Sequence, residues 1–564
     1  MPKTFYITTA IDYTNSPPHI GHAYEKVLAD VIARYHRLKG DKVFFLTGVD
    51  QHGQKVQQSA AKEGLPPAEF VKGITQKFVD LWEKLDVKYD GWAETTSDRH
   101  KKVVQGILQR LWHEKQIYKD KQAGYYSIRQ EQFLTDKERG PGGEFGPEWG
   151  QVEFREEENY YFKLEQHKKW LLSYIDPAGA GRDAVIPDFR QTELRNAVEK
   201  LSGDLCISRP KSRLDWGIEL PFDKDFVTYV WFDALTNYIS FAGYNPEIKT
   251  FKEQPEDFRD RWDLVIQIIG KDILIPAHGI YWLIMLHVIG FPDEEMPTLF
   301  VHGWWNISGA KMSKSSGNIV DPGALADKYG TEAVRYYVMR DIATGKDADF
   351  SEERLVARYN TDLANSLGNL LNRALNMVAR FADRTVSSFY IRSEVEKKMA
   401  DENLLEQIAQ DPLATDGFYS GLEALPVAAT IPIRVAAYSG ELWNYQHSMS
   451  RGTPDLAIQA IMNFINDCNR FVEESSPWKL AKDGDHTHAL ASVLYHLAES
   501  LRIIAILISP VLPRAAHGIF DQLNWKMELI GKEERFRLDD AKWGGLPDGH
   551  VVGKPVPLFP RIEK

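Results

Sequence analysis

The sequence predicts an α/β chain in which a parallel sheet is split by an insertion and followed by an all-helical domain. Three observations carry that expectation. Residues 4–46 read as strand, helix, strand; residues 140–150, GPGGEFGPEWG, break every periodicity; and from Leu355 a helical stripe takes over. A strand–helix–strand unit sets its two strands parallel, and such units build α/β sheets.

Thr4 to Ala10 is short and rich in β-branched and aromatic residues, and Asn15, Ser16, Pro17 and Pro18 make a loop. Between Gly21 and Leu38 the apolar positions Ala23, Val27, Leu28, Val31, Ile32, Tyr35 and Leu38 recur every three or four residues, an amphipathic helix that Gly40 stops. Val43 to Leu46 is the next strand, so residues 1–117 form the first half of the sheet domain. Residues 118–225 read as the insertion, with Glu156, Glu157 and Glu158 clustered beyond the Gly-rich run. Strand-like runs at 226–232 (FVTYVWF) and 264–269 are where the sheet is expected to resume, giving its second half at 226–354. Leu355, Tyr359, Leu363, Leu367, Leu370, Leu371, Ala374, Val378 and Phe381 then form one stripe, with helical windows at 455–472 and 488–509. Residues 355–564 are expected to be all α.

A length of 564 residues allows about three or four domains, and 43% apolar residues exclude intrinsic disorder. The formal charge of −12 argues only weakly against a nucleic-acid partner, because binding responds to local patches. Two cysteines, Cys206 and Cys468, make neither a disulfide framework nor a Cys-based metal knuckle, which suits a reduced cytoplasm. The polar, Pro-rich opening shows no signal peptide. Ile273 to Pro292 run twenty residues without a charge, formally enough to span a membrane. Pro276, His278, Gly279, His287 and Gly290 within it favour a buried strand–loop–helix segment, so no membrane partner is expected.

Pro18-His19-Ile20-Gly21-His22 stands at the loop-to-helix junction of the first unit, where a dinucleotide site would carry a Gly-rich fingerprint. Free N–H groups at a helix N-terminus favour phosphate. Two cation-capable imidazoles there can stabilise charge developing on a phosphoryl group, and Gly21 leaves room for a flat ring or backbone to approach. Alone, such a pair is more often an ordinary surface turn. Lys311-Met312-Ser313-Lys314-Ser315 changes the balance: it lies between Gly309 and Gly317, in a window (296–320) without Asp or Glu. Two ammonium groups on a Gly-flanked loop suit a clamp that closes on polyphosphate. The motifs are 289 positions apart and meet only if the two sheet halves bring them to the crevice where open α/β sheets bind ligands.

With HIGH near its N-terminus and KMSKS behind a split sheet, the chain resembles the class I aminoacyl-tRNA synthetases. AIDYTNSPPHIGHAYE, FLTGVDQHGQKV, YVWFDALTNY, IGKDI, FVHGW..ISGAKMSKSSGN, NLLNR and SSPWKLAK resemble the methionyl-tRNA synthetase family over essentially the whole chain. The resemblance implies a Rossmann-like catalytic sheet and a helical anticodon-binding bundle. It implies a reaction in which the carboxylate of L-methionine attacks the α-phosphorus of ATP, giving methionyl-adenylate and pyrophosphate. The 3′-terminal adenosine of tRNA(Met), initiator or elongator, then takes the methionyl group. A carboxylate is already an anion at neutral pH, so the first step needs no general base. Positioning and charge stabilisation by His19, His22, Lys311, Lys314 and Mg2+ carry it, with Gly21, Gly270 and Asp272 also at the ATP.

A zwitterionic amino acid needs an anion for its ammonium, which Asp50 at the end of LTGVD can supply, and a thioether suits aromatic walls. The resemblance puts Ile11, Tyr13, Trp231, Ala234, Leu235, Tyr238, His278 and Trp282 at the methionine pocket, although each aromatic alone reads as core. Leu235 stands where some relatives have proline, and Ala277 where an aromatic often stands. Asn369 and Arg373, four apart on one helix face, and Trp478 after Pro477 take anticodon-binding positions, in keeping with recognition of unpaired bases by stacking and edge contacts. Residues 356–400 carry seven Lys/Arg against four Asp/Glu, a basic working face on an acidic chain.

Many relatives hold zinc in the insertion through Cys-rich knuckles. Here Ser127 and Gln130 stand where the first ligand pair falls, and 140–150 has neither Cys nor His, so no structural zinc is expected. The chain ends at GKPVPLFPRIEK without an appended module, which makes a monomer the expectation. Other readings stand beside this one: a branched-chain synthetase, whose editing insertion is larger; a cysteine enzyme, which needs thiolate ligands; a small-molecule nucleotidyltransferase, which has no need of the helical domain; and a tRNA-binding protein without catalysis.

Overall fold

A computed structural model describes residues 4–127, 132–134, 139–140, 142–177, 183–307, 309–311, 319–388, 427–482 and 484–563. The chain opens with strand β1 (Thr4–Thr9), β2 (Asp12–Tyr13), helix α1 (Ile20–Lys39) and β3 (Lys42–Asp50). Every residue of β1 is buried, as befits a strand covered on both sheet faces. Gly40 ends α1 with φ 92°, a left-handed turn that costs glycine no Cβ clash. β3 outruns the expected 43–46 at both ends and delivers Asp50 to its C-terminal tip. Helices α2 (Gln54–Lys62) and α3 (Pro67–Lys84) lead to β4 (Gly91–Glu94) and α4 (Asp98–His113).

The insertion begins with a long antiparallel hairpin, β5 (Ile117–Ser127) and β7 (Val152–Phe162), with β6 (Gln132–Leu134) beside β5. Within the Gly-rich stretch the described residues hold one bridge, Arg139 to Phe145, and one 3-10 turn, Pro147–Trp149. After α5 (Lys168–Tyr174) comes β8 (Val185–Ile186), then α6 (Asp188–Glu199), β9 (Leu205–Cys206), β10 (Ser208–Pro210), β11 (Glu219–Leu220), β12 (Asp223–Thr228) and α7 (Val230–Ser240). The main sheet is completed by β13 (Leu264–Gly270) and β14 (Thr298–His302). Its order is β2-β3-β1-β13-β14-β8 with β4 also on β3, all parallel.

Two sequence expectations need correction here. FVTYVWF does not rejoin the sheet: β12 pairs antiparallel with β10 and β11, and α7 begins at Val230. An unbroken apolar run carries no period that separates a strand end from a helix start. Conversely β8, inside 118–225, pairs with β14 (Val185 with Leu299, Ile186 with Phe300), so the insertion contributes an edge strand to the sheet it interrupts.

The charge-free run after β13 is mostly helical up to Val288 and holds no strand of its own. A turn at Lys271–Ile273 leads into the wide π-helical segment Leu274–Trp282, interrupted by extended backbone at Ile275, and then Leu283–Val288. The helix long and apolar enough to cross a membrane is instead Thr487–Ile508, buried among the other C-terminal helices. Glu352 to Phe381 is continuously helical, and its stripe from Leu355 to Val378 is buried. It packs with Val427–Ser450, Pro454–Ser475 and Thr487–Ile508. The region is not purely α: Thr385–Val386 pairs antiparallel with His550–Val551. One apolar core joins this bundle to α1 and one face of the sheet, and a second joins the other face to the insertion and α7.

Candidate active site

The histidine motif caps α1. His19 is the N-cap, its Nδ1 accepting the Gly21 N–H at 3.1 Å, while His22 Nδ1 accepts the His19 N–H at 3.1 Å. Each ring therefore accepts through Nδ1, which leaves Nε2 to carry the proton as a donor. The rings lie 3.8 Å apart, and His22 meets Phe78 edge-on at 5.5 Å. Burial, helped by His19 and Lys26, holds His22 well below the usual histidine range, so it is a neutral N–H donor and not a cation. The space beside Gly21 is taken by its own neighbour: a Cβ there would lie 2.9 Å from His19 Cε1.

The histidine motif touches the segment beyond the lysine motif, whose residues 312–315 lie outside the described residues. The Ile20 N–H donates to Val320 O at 3.1 Å, tying the first turn of α1 to the segment just past the lysine motif. Lys311 lies on a short strand paired antiparallel with Trp305–Ile307, directly after β14. Lys314 lies outside the described residues.

Beyond the C-terminal ends of β1, β3 and β13 lies a cavity of about 780 Å³. Ile11, Tyr13, Asp50, Trp231, Ala234, Leu235, Tyr238, Asp272 and His278 all line it. Asp50 is buried at the tip of β3, with its carbonyl held by the Thr14 N–H and hydroxyl at 2.9 Å each. Gly53 closes the turn after it with φ 112°, where any Cβ would lie 2.7 Å from the Tyr13 hydroxyl. His278 Nδ1 donates to Ile273 O at 2.9 Å, so its Nε2 accepts the Tyr238 hydroxyl at 2.8 Å. Burial pushes His278 down to about 4, leaving this ring uncharged at neutral pH. Trp282 departs from expectation: it is fully buried behind Tyr238, 5.6 Å ring to ring, with its indole N–H on Gln267, and does not line the cavity. Gly270, at the end of β13, sits beside His302 in register and close under Asp272.

Sequence reasoning missed the charges beneath this site. Lys26 is wholly buried on α1 and donates to Asp12 (2.7 Å), Glu25 (2.8 Å) and the Ala10 carbonyl (2.9 Å) at the cavity edge. Glu25 reaches on to His302 Nε2 at 3.0 Å. Burial pushes Asp12 up to about 7 despite Lys26, whereas at Glu25 the combined pull of Lys26 and His302 outweighs burial and holds it low. Arg209, on β10, is also buried in the cavity wall, stacked 4.3 Å over Tyr229. A helical lysine and an arginine in a three-residue strand carry no pattern that marks them from sequence.

At the helical end, Asn369 is exposed and Arg373 lies one turn on, paired with Glu473 at 2.7 Å. Trp478, on the short helix Pro477–Leu480, stands 37% exposed.

Comparison with known proteins agrees with this architecture. The family model described as tRNA synthetases class I (M) matches residues 5–142 and 149–375. The methionine–tRNA ligase of Caldanaerobacter subterraneus subsp. tengcongensis is 38% identical, the match covering 100% of this chain and 80% of that protein. That of Listeria monocytogenes is 37% identical, over 100% and 78%. The structure of Mycobacterium tuberculosis methionyl-tRNA synthetase in complex with methionyl-adenylate superposes with a TM-score of 0.83 at 34% identity, covering 99% of this chain and 100% of that one. The chain belongs to the class I tRNA synthetases, in the group of the methionine–tRNA ligases.

Proposed function

We propose that this protein is a methionine–tRNA ligase, activating L-methionine with ATP and passing the methionyl group to the 3′-terminal adenosine of initiator and elongator tRNA(Met). The observation that carries the reading is the cavity in which the Asp50 carboxylate and the uncharged rings of Tyr13, Tyr238 and His278 share one lining. Asp50 answers the methionine ammonium, and a neutral aromatic wall suits a polarisable thioether. A carboxylate oxygen of methionine forms its bond to the α-phosphorus as the bond to pyrophosphate breaks. The terminal ribose hydroxyl then attacks the activated carbonyl, and AMP leaves. His19 and His22 donate through Nε2 to the phosphates, Lys311 and Lys314 offset their charge, and Gly21, Gly270 and Asp272 border the nucleotide. Mg2+ arrives with ATP as part of the substrate.

In this reading residues 1–117 and 226–354 form the catalytic domain, 118–225 the connective insertion, and 355–564 the anticodon-binding domain, with Asn369, Arg373 and Trp478 on the bases. The insertion needs no zinc. Its first cysteine is Cys206, the Ser127 hydroxyl donates to Trp149 O at 2.5 Å, and Tyr126 is buried under the guanidinium groups of Arg155 and Arg213. The protein works as a monomer in the cytoplasm.

Amino-acid-dependent ATP–pyrophosphate exchange, with twenty amino acids offered singly, tests the activity: methionine alone is expected to drive it, and no exchange with methionine overturns the reading. Stoichiometric zinc in the purified protein overturns the metal-free insertion, and a dimer mass by light scattering overturns the monomer.

A further inference from the structure

Asp50 and the aromatic wall of the cavity come from distant parts of the chain, the tip of β3 and the helix α7. What fastens them is a carboxylate between two imidazoles. Asp233 is fully buried on α7; its Oδ2 takes His52 Nδ1 at 2.6 Å and its Oδ1 takes His100 Nε2 at 2.7 Å. His52 lies two residues past Asp50, and His100 lies in the first turn of α4, its other nitrogen 2.8 Å from Ser240 at the end of α7. Both carboxylate oxygens are thus engaged by ring N–H groups on two other elements. Burial would raise Asp233, yet the two imidazoles prevail and hold its carboxyl at about 2, so Asp233 itself is ionised at neutral pH.

The geometry around the clamp gives it a purpose beyond packing. On α7, Trp231, Ala234, Leu235 and Tyr238 line the cavity, while Asp233 reaches the histidines instead. On the β3 side, Gln51 is pinned three ways: its N–H donates to Thr95 at 2.9 Å, its side-chain amide to Thr75 at 3.0 Å, and the Trp216 indole to its carbonyl at 2.5 Å. His52, the next residue, reaches α7. We infer that Asp233 is a positioning residue for amino-acid binding: through His52 it fixes the distance between the carboxylate Asp50 and the aromatic wall on α7, and so sets how well the methionine ammonium and thioether are held at once. The proposal rests on the methionine reading of the cavity. It draws on the general rule that groups supporting a site keep it within a fraction of an ångström of its productive geometry, and that a displacement of 1 Å can cost about a hundredfold.

The test is methionine-dependent ATP–pyrophosphate exchange with the full-length protein, measuring KM for methionine and for ATP separately and the thermal midpoint of each variant. Asp233→Asn turns an amide N–H toward one of two histidine donors. It is expected to raise the methionine KM roughly tenfold and to leave the ATP KM within about twofold. His52→Ala should act in the same direction, whereas His52→Asn, which keeps a donor near the position of Nδ1, should restore most of the loss. A packing role would not separate these two, since both remove the ring. Should Asp233→Asn fail to fold, the His52 pair decides. Equal methionine KM values for His52→Ala and His52→Asn overturn the proposal, as does a loss shared equally by methionine and ATP. Absence of methionine-dependent exchange in the wild-type protein overturns the methionine reading itself, a different outcome from an active wild type with unaffected variants.

Discussion

Arg335 lies fully buried against Asp30, with Nη2 2.7 Å from the carboxylate, and donates every one of its guanidinium protons. Nε goes to Val511 O (2.9 Å), Nη1 to Leu85 O (3.0 Å) and Asp86 O (3.3 Å), and the second Nη2 proton to Pro510 O (3.0 Å). Asp30 in turn takes Arg34 at 2.7 Å and the Lys88 N–H at 2.9 Å. One side chain so joins α1, the loop before β4, and the C-terminal bundle at residues 510–511.

Arg335→Lys keeps the charge but replaces a five-donor fork with three donors on a point charge, stranding buried carbonyls. Stability should fall by about 3 kcal/mol, read from the denaturant midpoint at constant slope. A change within about 0.5 kcal/mol would contradict the linking role.

Burial holds His496, packed against Phe471 and Trp543 in the bundle, down to about 3. An unfolded histidine takes its proton near 6.5, so below that pH the unfolded state binds more protons and the native state loses ground until about pH 3. Between pH 6.5 and 5 this one residue should cost about 2 kcal/mol. His496→Phe should flatten that part of the stability–pH curve and leave exchange kinetics alone. A curve as steep as the wild type's would refute the assignment.

Lys314→Ala should slow adenylate formation by roughly a hundredfold while the methionine Kd moves less than about twofold, because the lysine serves the phosphates alone. Single-turnover pyrophosphate release beside equilibrium methionine binding separates these quantities. Matching losses in both would remove Lys314 from its clamp role.

Trp478→Ala should spare exchange and reduce tRNA charging about tenfold or more, as expected for one lost base stack of about 1–3 kcal/mol. Arg373→Ala should act in the same direction, since its exposed pairing with Glu473 holds it by little. If exchange and charging fell together, the anticodon assignment would be wrong.

Local patterns reported local structure well. The spacing from Ala23 to Leu38 and the glycine at 40 located α1 to within a residue or two, and the stripe from Leu355 to Val378 located the buried face of the bundle. Of the residues that the resemblance implied for the methionine pocket, aromatics such as Tyr13 and Tyr238 stand in the cavity wall. What escaped was set by partners far away in the chain. Nothing in VI at 185–186 tells that it pairs with residues 299–300, and Trp282 differs from Tyr238 only in which ring lies behind the other. The neutrality of His22 comes from burial among neighbours that no spacing rule describes. Nothing in the sequence marks Lys26, because Asp12 joins Glu25 as a receptor for its charge only once β2 is placed on β3.

The strand that the insertion lends to the sheet has a mechanical outcome. A loop domain rooted at its two ends can swing about them like a door. This one is also stitched to β14 at Val185 and Ile186, well inside its length, so its base behaves as part of the catalytic frame. The insertion is therefore rooted at three places along its length, and the long β5–β7 hairpin belongs to a separate sheet that shares no strand with the main one.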